Sequence, residues 1–246
     1  MSKIFAVSDI HGFYDELIAA LNDAGFDKDN PDHMLVVCGD YFDRGPKPFE
    51  VMTYLQSLPN KVLVKGNHED LIMDCINRGY YLSHDVSNGT VRTIIDLAPN
   101  AKTFEVACSV AYEKICDFFS SMVDYYETEH YIFVHAFVPL SCNDGLPAHY
   151  TRGRKFTKMD NWREASAQQW YQAKWGNPYL LAEQGLLPDK TLVFGHFHTS
   201  FARKQYEGKP EWGEEANFDT YYGDGYIAID ACTAYSKKVN VLVIED

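Results

Sequence analysis

The stretch GDYFDRG, residues 39–45, follows directly on the apolar run MLVVC of residues 34–38. It places two aspartates, one arginine and two glycines in seven positions at the end of a predicted buried strand. Carboxylate and guanidinium groups cost free energy when they are buried without partners. The charges of Asp40, Asp43 and Arg44 therefore either pair off as structure or hold a charged ligand.

The N-terminal part of the chain alternates short apolar strands with amphipathic helices. Strands are predicted for KIFAVSD, HMLVVCGD and KVLVKGN, and helices after each of them for FYDELIAALNDAG, PFEVMTYLQSL and HEDLIMDCINRG. This β-α-β-α-β-α order favours a mostly parallel sheet with helices on its faces. Side chains that follow the strands would then share one edge of the sheet.

The middle of the chain changes character. No strand pattern occurs from about residue 80 to 128, and an apolar stripe over residues 104–122 predicts one long helix. We therefore expect a helical insertion, or cap, at about 80–128. Strands resume with HYIFVHAF and continue with TLVFGHFH, GYIAIDA and KVNVLVIED. A loop rich in Gly, Asp and Tyr joins two of the last three and suggests an antiparallel second half.

Composition excludes several classes of protein. The chain is 46% hydrophobic and 15% aromatic, which is typical of a globular rather than a disordered protein, and it shows no linker or repeat. Residues 1–246 are thus expected to form a single domain. A net charge of −13 argues against general nucleic-acid binding. The apolar runs are too short for a membrane span, no signal-peptide pattern occurs, and six cysteines lack a CxxC pair, so a cytoplasmic location is expected.

Five predicted strands are each followed by Asp, His or Asn. In open α/β sheets, ligands bind at the carboxyl ends of the strands. These residue types, with no cysteine, suit divalent ions such as Mn²⁺, Fe or Zn²⁺. Seven such side chains are too many for one ion, so they predict two ions that share a carboxylate and clamp a phosphate ester. The seven candidate ligands are Asp9, His11, Asp40, Asn67, His135, His196 and His198.

Roles for the opening stretch follow from this prediction. Asp40 is the natural bridging ligand, and Arg44 is placed to fork onto phosphate oxygens. Asp43 would pair with a neighbouring cation, for which His68 is the candidate. Each motif also has a structural interpretation when taken alone, since Asp9 could cap a helix and the histidines could be satisfied core residues. Their joint occurrence, each after an apolar run, leaves that interpretation little room.

In this order, DIHG at 9–12, GDYFDRG at 39–45, GNHE at 66–69, His135 and GHFH at 195–198 resemble the motifs of the calcineurin-like metallophosphoesterase superfamily. The DRG and GNHE forms look most like the serine/threonine protein phosphatase branch, including its small bacterial and phage members. The same branch includes symmetric diadenosine tetraphosphate hydrolases. The resemblance implies a four-layer sandwich of two mixed β-sheets flanked by helices.

The resemblance also implies how the site is divided. One ion would be held by Asp9, His11, Asp40 and His198, and the other by Asp40, Asn67, His135 and His196. A water activated by the two ions would attack phosphorus. His68 would protonate the leaving group with Asp43 orienting it, and Arg44, Asn67 and His68 would bind the phosphate. Mn²⁺ is the expected metal, with Fe, Zn²⁺ and Mg²⁺ as alternatives.

Two departures from the family pattern concern the substrate. Ala136 and Phe137 stand after the fourth-motif histidine, where the family usually has Gly. The protein phosphatases carry a second phosphate-binding arginine after a tryptophan, and the corresponding place here, residues 175–178, has none. Arg152, Arg154 or Arg163 could substitute from the preceding loop.

Three functions remain open on the sequence. The leading expectation is a phosphatase of phosphoserine or phosphothreonine in proteins. Its rival is a symmetric dinucleoside tetraphosphate hydrolase acting on a nucleotide, and the non-enzyme alternative is a metal-binding scaffold that has lost activity. In the rival, a base could stack on aromatic residues that could equally be ordinary core. These residues are Tyr125, Tyr126, Phe137, Tyr221 and Tyr222.

Overall fold

A computed structural model describes residues 3–142 and 153–245. The strands are β1 (Lys3–Val7), β2 (His33–Cys38), β3 (Lys61–Val64), β4 (Tyr126–Glu127), β5 (Tyr131–Phe133), β6 (Leu140–Ser141), β7 (Thr157–Lys158), β8 (Thr191–Phe194), β9 (Tyr221–Gly223), β10 (Tyr226–Ala228) and β11 (Leu242–Glu245). The α-helices are α1 (Tyr14–Asp23), α2 (Pro48–Ser57), α3 (Asn67–Arg78), α4 (Ser83–Asn88), α5 (Thr90–Leu97), α6 (Phe104–Ser120), α7 (Ala167–Ala173), α8 (Pro178–Glu183), α9 (Thr199–Glu207) and α10 (Thr233–Ser236). A short 3-10 helix covers Trp162–Glu164.

Two mixed sheets organise these elements. The first has the order β11-β1-β2-β3, in which β1, β2 and β3 are parallel and β11 is antiparallel to β1. The second has the order β4-β5-β8-β10-β9, with its three central strands parallel and both edge strands antiparallel. The expectation of an antiparallel second half is wrong. Helix α9 crosses over between β8 and β10, so these strands run the same way, and the Gly- and Asp-rich loop forms only the β9–β10 hairpin.

The sheets pack face to face, with helices on their outer faces. Ile4, Ala6 and Val36 of the first sheet meet Phe133 and Val193 of the second in one buried cluster. Helices α1, α2, α3, α5 and α6 cover the other face of the first sheet, and α7, α8 and α9 cover that of the second. Strands that are buried on both faces need continuous apolar runs, as KIFAV and MLVVC provide. The expected four-layer sandwich is confirmed.

The helical insertion is present but differs in detail from the expectation. It contains three helices, α4, α5 and α6, and the predicted apolar stripe belongs to α6 alone. Its last residues are not helical, because Tyr126 and Glu127 form β4 at the edge of the second sheet. A two-residue strand is too short to give a period in the sequence. We use the term cap for α4, α5 and α6 below.

The longest α-helix, α6, has 17 residues and carries several charged side chains. None of the helices in the described residues combines the length and apolar character that a membrane span requires.

Candidate metal centre

Six predicted site residues lie in strained backbone beyond the strand ends. Left-handed φ angles between 50° and 71° are uncommon for residues other than glycine, and they cost free energy that the surrounding structure must supply. Such strain concentrates at functional sites. The six are Asp9, His11, Asp40, Asp43, Arg44 and His196. The turns after β1, β2 and β8 are therefore shaped around these side chains rather than by local preference.

The first group of ligand atoms gathers around His135. Its Nδ1–H donates to the carbonyl oxygen of Cys38 at 2.9 Å, so the lone pair of Nε2 faces the site. That nitrogen lies 2.7 Å from Oδ1 of Asn67, 3.2 Å from Nδ1 of His196 and 3.4 Å from Oδ1 of Asp40. Burial lowers the pKa of His135, and it lowers that of His196 to about 3, so both rings are neutral.

These atoms fit a divalent cation. A neutral imidazole nitrogen, an amide oxygen and a carboxylate oxygen are all acceptors. Nε2 of His135 and Oδ1 of Asn67 lie 2.7 Å apart with no hydrogen atom between them, so a cation is needed to hold them together. Metal-bound histidines typically donate their other ring N–H to a carbonyl oxygen, as His135 does to Cys38. Asp40, Asn67, His135 and His196 are thus able to hold one ion.

The second group lies on the other side of Asp40. The Nδ1–H of His11 donates to the carbonyl oxygen of Phe42 at 2.8 Å, which leaves Nε2 facing the site. Nε2 lies 3.6 Å from Oδ2 of Asp40 and 4.0 Å from Oδ1 of Asp9. Burial lowers the pKa of His11. Burial, and then the nearby carboxylates of Asp230 and Asp40, raise the pKa of Asp9 well above its usual value.

Asp40 stands between the two groups. Its Oδ1 faces His135 and accepts from the backbone N–H of His68 at 3.1 Å, while Oδ2 faces His11. Burial alone would raise the pKa of Asp40, but the histidines around it, of which His68 is the one with a raised pKa, lower the pKa of Asp40 well below the usual range. An ionised carboxylate with one oxygen toward each group has the position that a bridging ligand requires. The carboxyl groups of Asp9, Asp40 and Asp230 are all buried, and a cation would offset the cost of ionising them together.

His198 is not brought into either group. Its Nδ1 lies 2.8 Å from Oγ of Ser200, and its Nε2 lies 3.7 Å from Oε1 of Glu211. The ring packs against that of Trp212 with centroids 4.6 Å apart. Among the described residues, the Asp and His groups that could hold a metal consist of His11, Asp40 and His68, and of Asp40, His135 and His196.

His68 and Asp43 form a pair beside the shared carboxylate. Nδ1 of His68 lies 2.7 Å from Oδ2 of Asp43, and both residues are buried. Burial disfavours the imidazolium, but Asp40 and Asp43 outweigh that effect and raise the pKa of His68. The guanidinium of Arg44 lies 2.7 Å from Nε2 of His11 and 3.2 Å from Nε2 of His68. Arg44 is also exposed, so it can be reached by a ligand from solvent.

Two of the three candidates for a second phosphate-binding arginine, Arg154 and Arg163, have other partners. Arg163 binds both carboxylate oxygens of Glu127, at 2.8 and 2.6 Å, and also bonds Asp189. Arg154 lies against Cys142 and Phe156. Arg152 falls outside the described residues. The basic side chain close to the site is instead Lys174, which is buried against Asp70 and contributes to lowering the pKa of His135.

Two residues of the site were not singled out from the sequence. Glu69, fully buried, accepts the backbone N–H groups of Asp40, Tyr41 and Gly66 at 3.1, 3.0 and 2.8 Å, and so joins the loops after β2 and β3. Asp230 follows β10 as the other candidates follow their strands. Burial raises its pKa to about 6. The pattern GYIAID gave the same signal as the five motifs and could have identified it.

The aromatic residues that could have stacked a base mostly pack against the core. Tyr125 stacks on Trp170 at 5.3 Å, and Phe137 is fully buried. Tyr126 packs on Phe133 and Tyr221 on Tyr226. Only Tyr222 of the five is largely exposed, on the edge strand β9.

Residues 2–215 match the family model of the calcineurin-like phosphoesterases. The chain belongs to the calcineurin-like phosphoesterase family. This family uses a dinuclear metal centre, for which the Asp and His groups above offer ligands.

Relatives of the phosphoesterase carry more than one activity. A stretch of 66 residues is 44% identical to the symmetrical bis(5'-nucleosyl)-tetraphosphatase of Salmonella paratyphi B, covering 26% of this chain and 23% of that protein. A candidate diadenosine tetraphosphatase shares the fold with a TM-score of 0.53 and 17% identity, over 99% of this chain and 89% of the other. A cold-active protein-tyrosine phosphatase of Shewanella does so with a TM-score of 0.55 and 16% identity, over 100% and 76%. The structural likenesses show the fold, and the sequence match spans less than a quarter of the curated relative.

Proposed function

We propose that this phosphoesterase hydrolyses phosphate monoesters of serine and threonine in proteins, with two divalent ions, Mn²⁺ foremost. The observation that supports this proposal is the buried pair of His68 and Asp43, 2.7 Å apart beside Asp40. The alkoxide that leaves from a serine or threonine phosphate is strongly basic and needs a proton donor in the transition state. A leaving phosphate group, as in a polyphosphate, is a weaker base and needs that help less.

Each polar side chain has a role in this reaction. Bound divalent ions supply positive charge to the phosphate and lower the pKa of water. Asp43 accepts from Nδ1–H of His68, which fixes the ring and directs Nε2 to the leaving oxygen. The amide of Asn67, next to His68, is placed to hold a phosphate oxygen.

Arg44 links substrate binding to the proton donor. Without substrate, its N–H groups face Nε2 of both His11 and His68. Phosphate oxygens are better acceptors for a guanidinium than neutral imidazoles are. Binding of the exposed Arg44 to phosphate therefore draws the guanidinium away from His68, which favours the proton on Nε2 because the nearby charge of Arg44 lowers the pKa of His68. All six cysteines are free thiols, which supports a reducing, cytoplasmic location as part of the proposal.

A second candidate is the symmetric hydrolysis of dinucleoside tetraphosphates. The observation in its favour is the 44% identity to the Salmonella tetraphosphatase over 66 residues. Against it, Phe137 is buried in the core, and Tyr125, Tyr126 and Tyr221 pack against the core with only part of each side chain exposed, which reduces the base-stacking surface that the sequence offered.

The test is a substrate comparison with Mn²⁺ present. We expect kcat/KM for phosphoserine and phosphothreonine peptides to exceed that for diadenosine tetraphosphate, and the reverse order would establish the second candidate instead. Asp40→Asn and His68→Asn should each lower peptide turnover by about 100-fold or more, since both the ions and the proton donor act on the transition state. The exposed His130→Asn is the matched control. If the protein binds two ions but hydrolyses no phosphate ester, the scaffold hypothesis is the explanation that remains.

A further inference from the structure

The carboxylate of Asp43 is held by the cap as well as by His68. The hydroxyl of Thr90 donates to Oδ2 of Asp43 at 2.9 Å, and that of Thr93 donates to Oδ1 at 2.9 Å. The backbone N–H of Asp43 in turn donates to Oγ1 of Thr93 at 3.0 Å. Both carboxylate oxygens thus have a hydroxyl donor, and Oδ2 also accepts from Nδ1 of His68 at 2.7 Å.

The placement of these threonines depends on the fold of the cap. Thr90 is the first residue of α5 and Thr93 lies three positions on, so both side chains project from one face of the helix. Both are buried. The turn before α5 lies directly on the backbone of the DRG segment, since a methyl group at Gly89 would come within 2.4 Å of the backbone nitrogen of Arg44. The cap therefore reaches the centre through its hydroxyl groups and through close backbone packing.

This arrangement restricts the imidazole of His68. A lone carboxylate can rotate about its Cβ–Cγ bond and can accept the Nδ1–H of His68 with either oxygen. Here two hydroxyl groups fix the plane of the carboxylate, so Oδ2 stays directed at Nδ1 and the ring keeps one orientation. A partner behind a catalytic pair commonly changes activity by about 10- to 100-fold when it is removed.

We propose that Thr90 and Thr93 are positioning residues, which fix Asp43 and through it aim Nε2 of His68 at the leaving oxygen. The inference rests on the proton-donor role proposed for His68. It gives the cap a function in the chemical step, because α5 supplies two of the three side-chain contacts that orient Asp43.

The experiment compares two leaving groups that differ in their need for a proton. Phenyl phosphate has a basic leaving group, and 2,4-dinitrophenyl phosphate releases an anion that needs no protonation. For Thr93→Val and Thr90→Val we expect kcat on phenyl phosphate to fall by about 10- to 100-fold, with less than about a threefold change on the dinitrophenyl ester. Thr93→Ser and Thr90→Ser, which keep the hydroxyl, should restore most of the loss.

Two controls separate positioning from a purely structural role. Thr103→Val removes the hydrogen bond from the threonine side chain to the first turn of α6. It thus weakens the cap without touching Asp43, and it should leave the leaving-group dependence unchanged. In a His68→Asn background, Thr93→Val should have no further effect on phenyl phosphate, because the group that it positions is gone. If a valine variant does not fold, the corresponding alanine variant is measured in the same way.

The outcomes keep this inference apart from the proposed function. Equal losses on both esters, no loss on either, or an undiminished effect of Thr93→Val without His68 would overturn the positioning role. In those cases the proposed function would still be supported if the wild type hydrolyses phenyl phosphate and the His68→Asn variant does not. If His68→Asn itself keeps full turnover, the proton donor is misassigned and both proposals fall.

Discussion

Gly66 and Asp40 lie so close together that a methyl group built on Gly66 would stand 2.2 Å from Oδ1 of Asp40. The loop after β3 therefore packs directly on the carboxylate that the two ligand groups share. The same methyl group would meet Oε2 of Glu69 at 2.8 Å. The glycine of the GNHE motif is required by this contact, since its own φ of −92° is open to any residue.

We expect Gly66→Ala to weaken Mn²⁺ binding by about 10- to 100-fold, because the methyl group must push the Asp40 carboxylate out of place. Titration calorimetry with Mn²⁺ measures this loss. Gly185→Ala is the control. That glycine has a φ of +71° with open space around it, so its substitution costs about 1–2 kcal/mol of backbone strain and should leave metal binding intact. Equal metal affinities in the two variants would contradict the role given to the Gly66 contact.

The two histidines of the GHFH motif are expected to differ in their effect on metal content. His196 lies 3.2 Å from His135 in a ligand group, whereas His198 bonds Ser200 beside Trp212. We expect His196→Gln to lose one of the two ions and His198→Gln to retain both. Metal analysis of the purified variants after dialysis against Mn²⁺ measures this directly. Loss of an ion from His198→Gln would show that His198 is a ligand, as the family resemblance implies.

Glu69 is expected to contribute to the stability of the fold rather than to the chemistry. Glu69→Ala leaves three buried backbone N–H groups without their acceptor and should lower the free energy of unfolding by about 2–4 kcal/mol. Urea denaturation is the measurement, with the exposed Glu50→Ala on α2 as the control. A loss below about 1 kcal/mol would mean that other acceptors or water replace the carboxylate.

The pair of Glu127 and Arg163 predicts a pH dependence of stability. Hydrogen bonds from Arg163, followed by Lys190, outweigh partial burial and lower the pKa of Glu127 to about 2 in the folded chain. A folded pKa below the unfolded value stabilises the fold above the unfolded pKa, and this contribution is lost as pH falls through the folded pKa. Because Arg163 reaches solvent, we expect about 1 kcal/mol at neutral pH.

The measurement is the difference in unfolding free energy between wild type and Glu127→Gln. It should be constant above about pH 5 and should shrink steadily as pH falls toward 2. Glu129→Gln, at an exposed position two residues on, is the control. A difference that does not change with pH would show that the carboxylate charge is not what Arg163 stabilises.

Removal of the metals should lower stability as well as activity. Three buried carboxyl groups and three imidazoles whose pKa values are lowered lie close together in the centre, and bound cations would stabilise this cluster of acceptor atoms. They belong to Asp9, Asp40, Asp230, His11, His135 and His196. We expect a chelator to lower Tm by several degrees and Mn²⁺ to restore it, since any ligand that binds only the folded state stabilises that state. An identical Tm with and without chelator would argue that the ions contribute nothing to the fold.

Sequence patterns were sufficient where a local feature determined the structure. The apolar runs KIFAV, MLVVC, KVLV, YIF and TLVF each form a strand, and Asp9, Asp40, Asn67, His135 and His196 each follow one. The sequence pattern did not predict strands of two residues, and it did not predict the direction of strands that are joined by a crossover helix. The two residues of β4 have no measurable period, and the parallel pairing of β8 with β10 follows from the packing of α9 rather than from the composition of the loop.

The sequence by itself determined the family and most of the chemical groups, because the motifs after each strand are local properties of the chain, and the resemblance to that family implied the two-sheet fold. Only the tertiary structure decided how those groups point. It turned His198 toward Ser200 and Glu211, paired Arg163 with Glu127, and brought Thr90 and Thr93 to Asp43 across 47 and 50 residues of chain. Contacts of that kind join segments with no periodic relation to one another, so they are fixed by the packing of the cap and the two sheets.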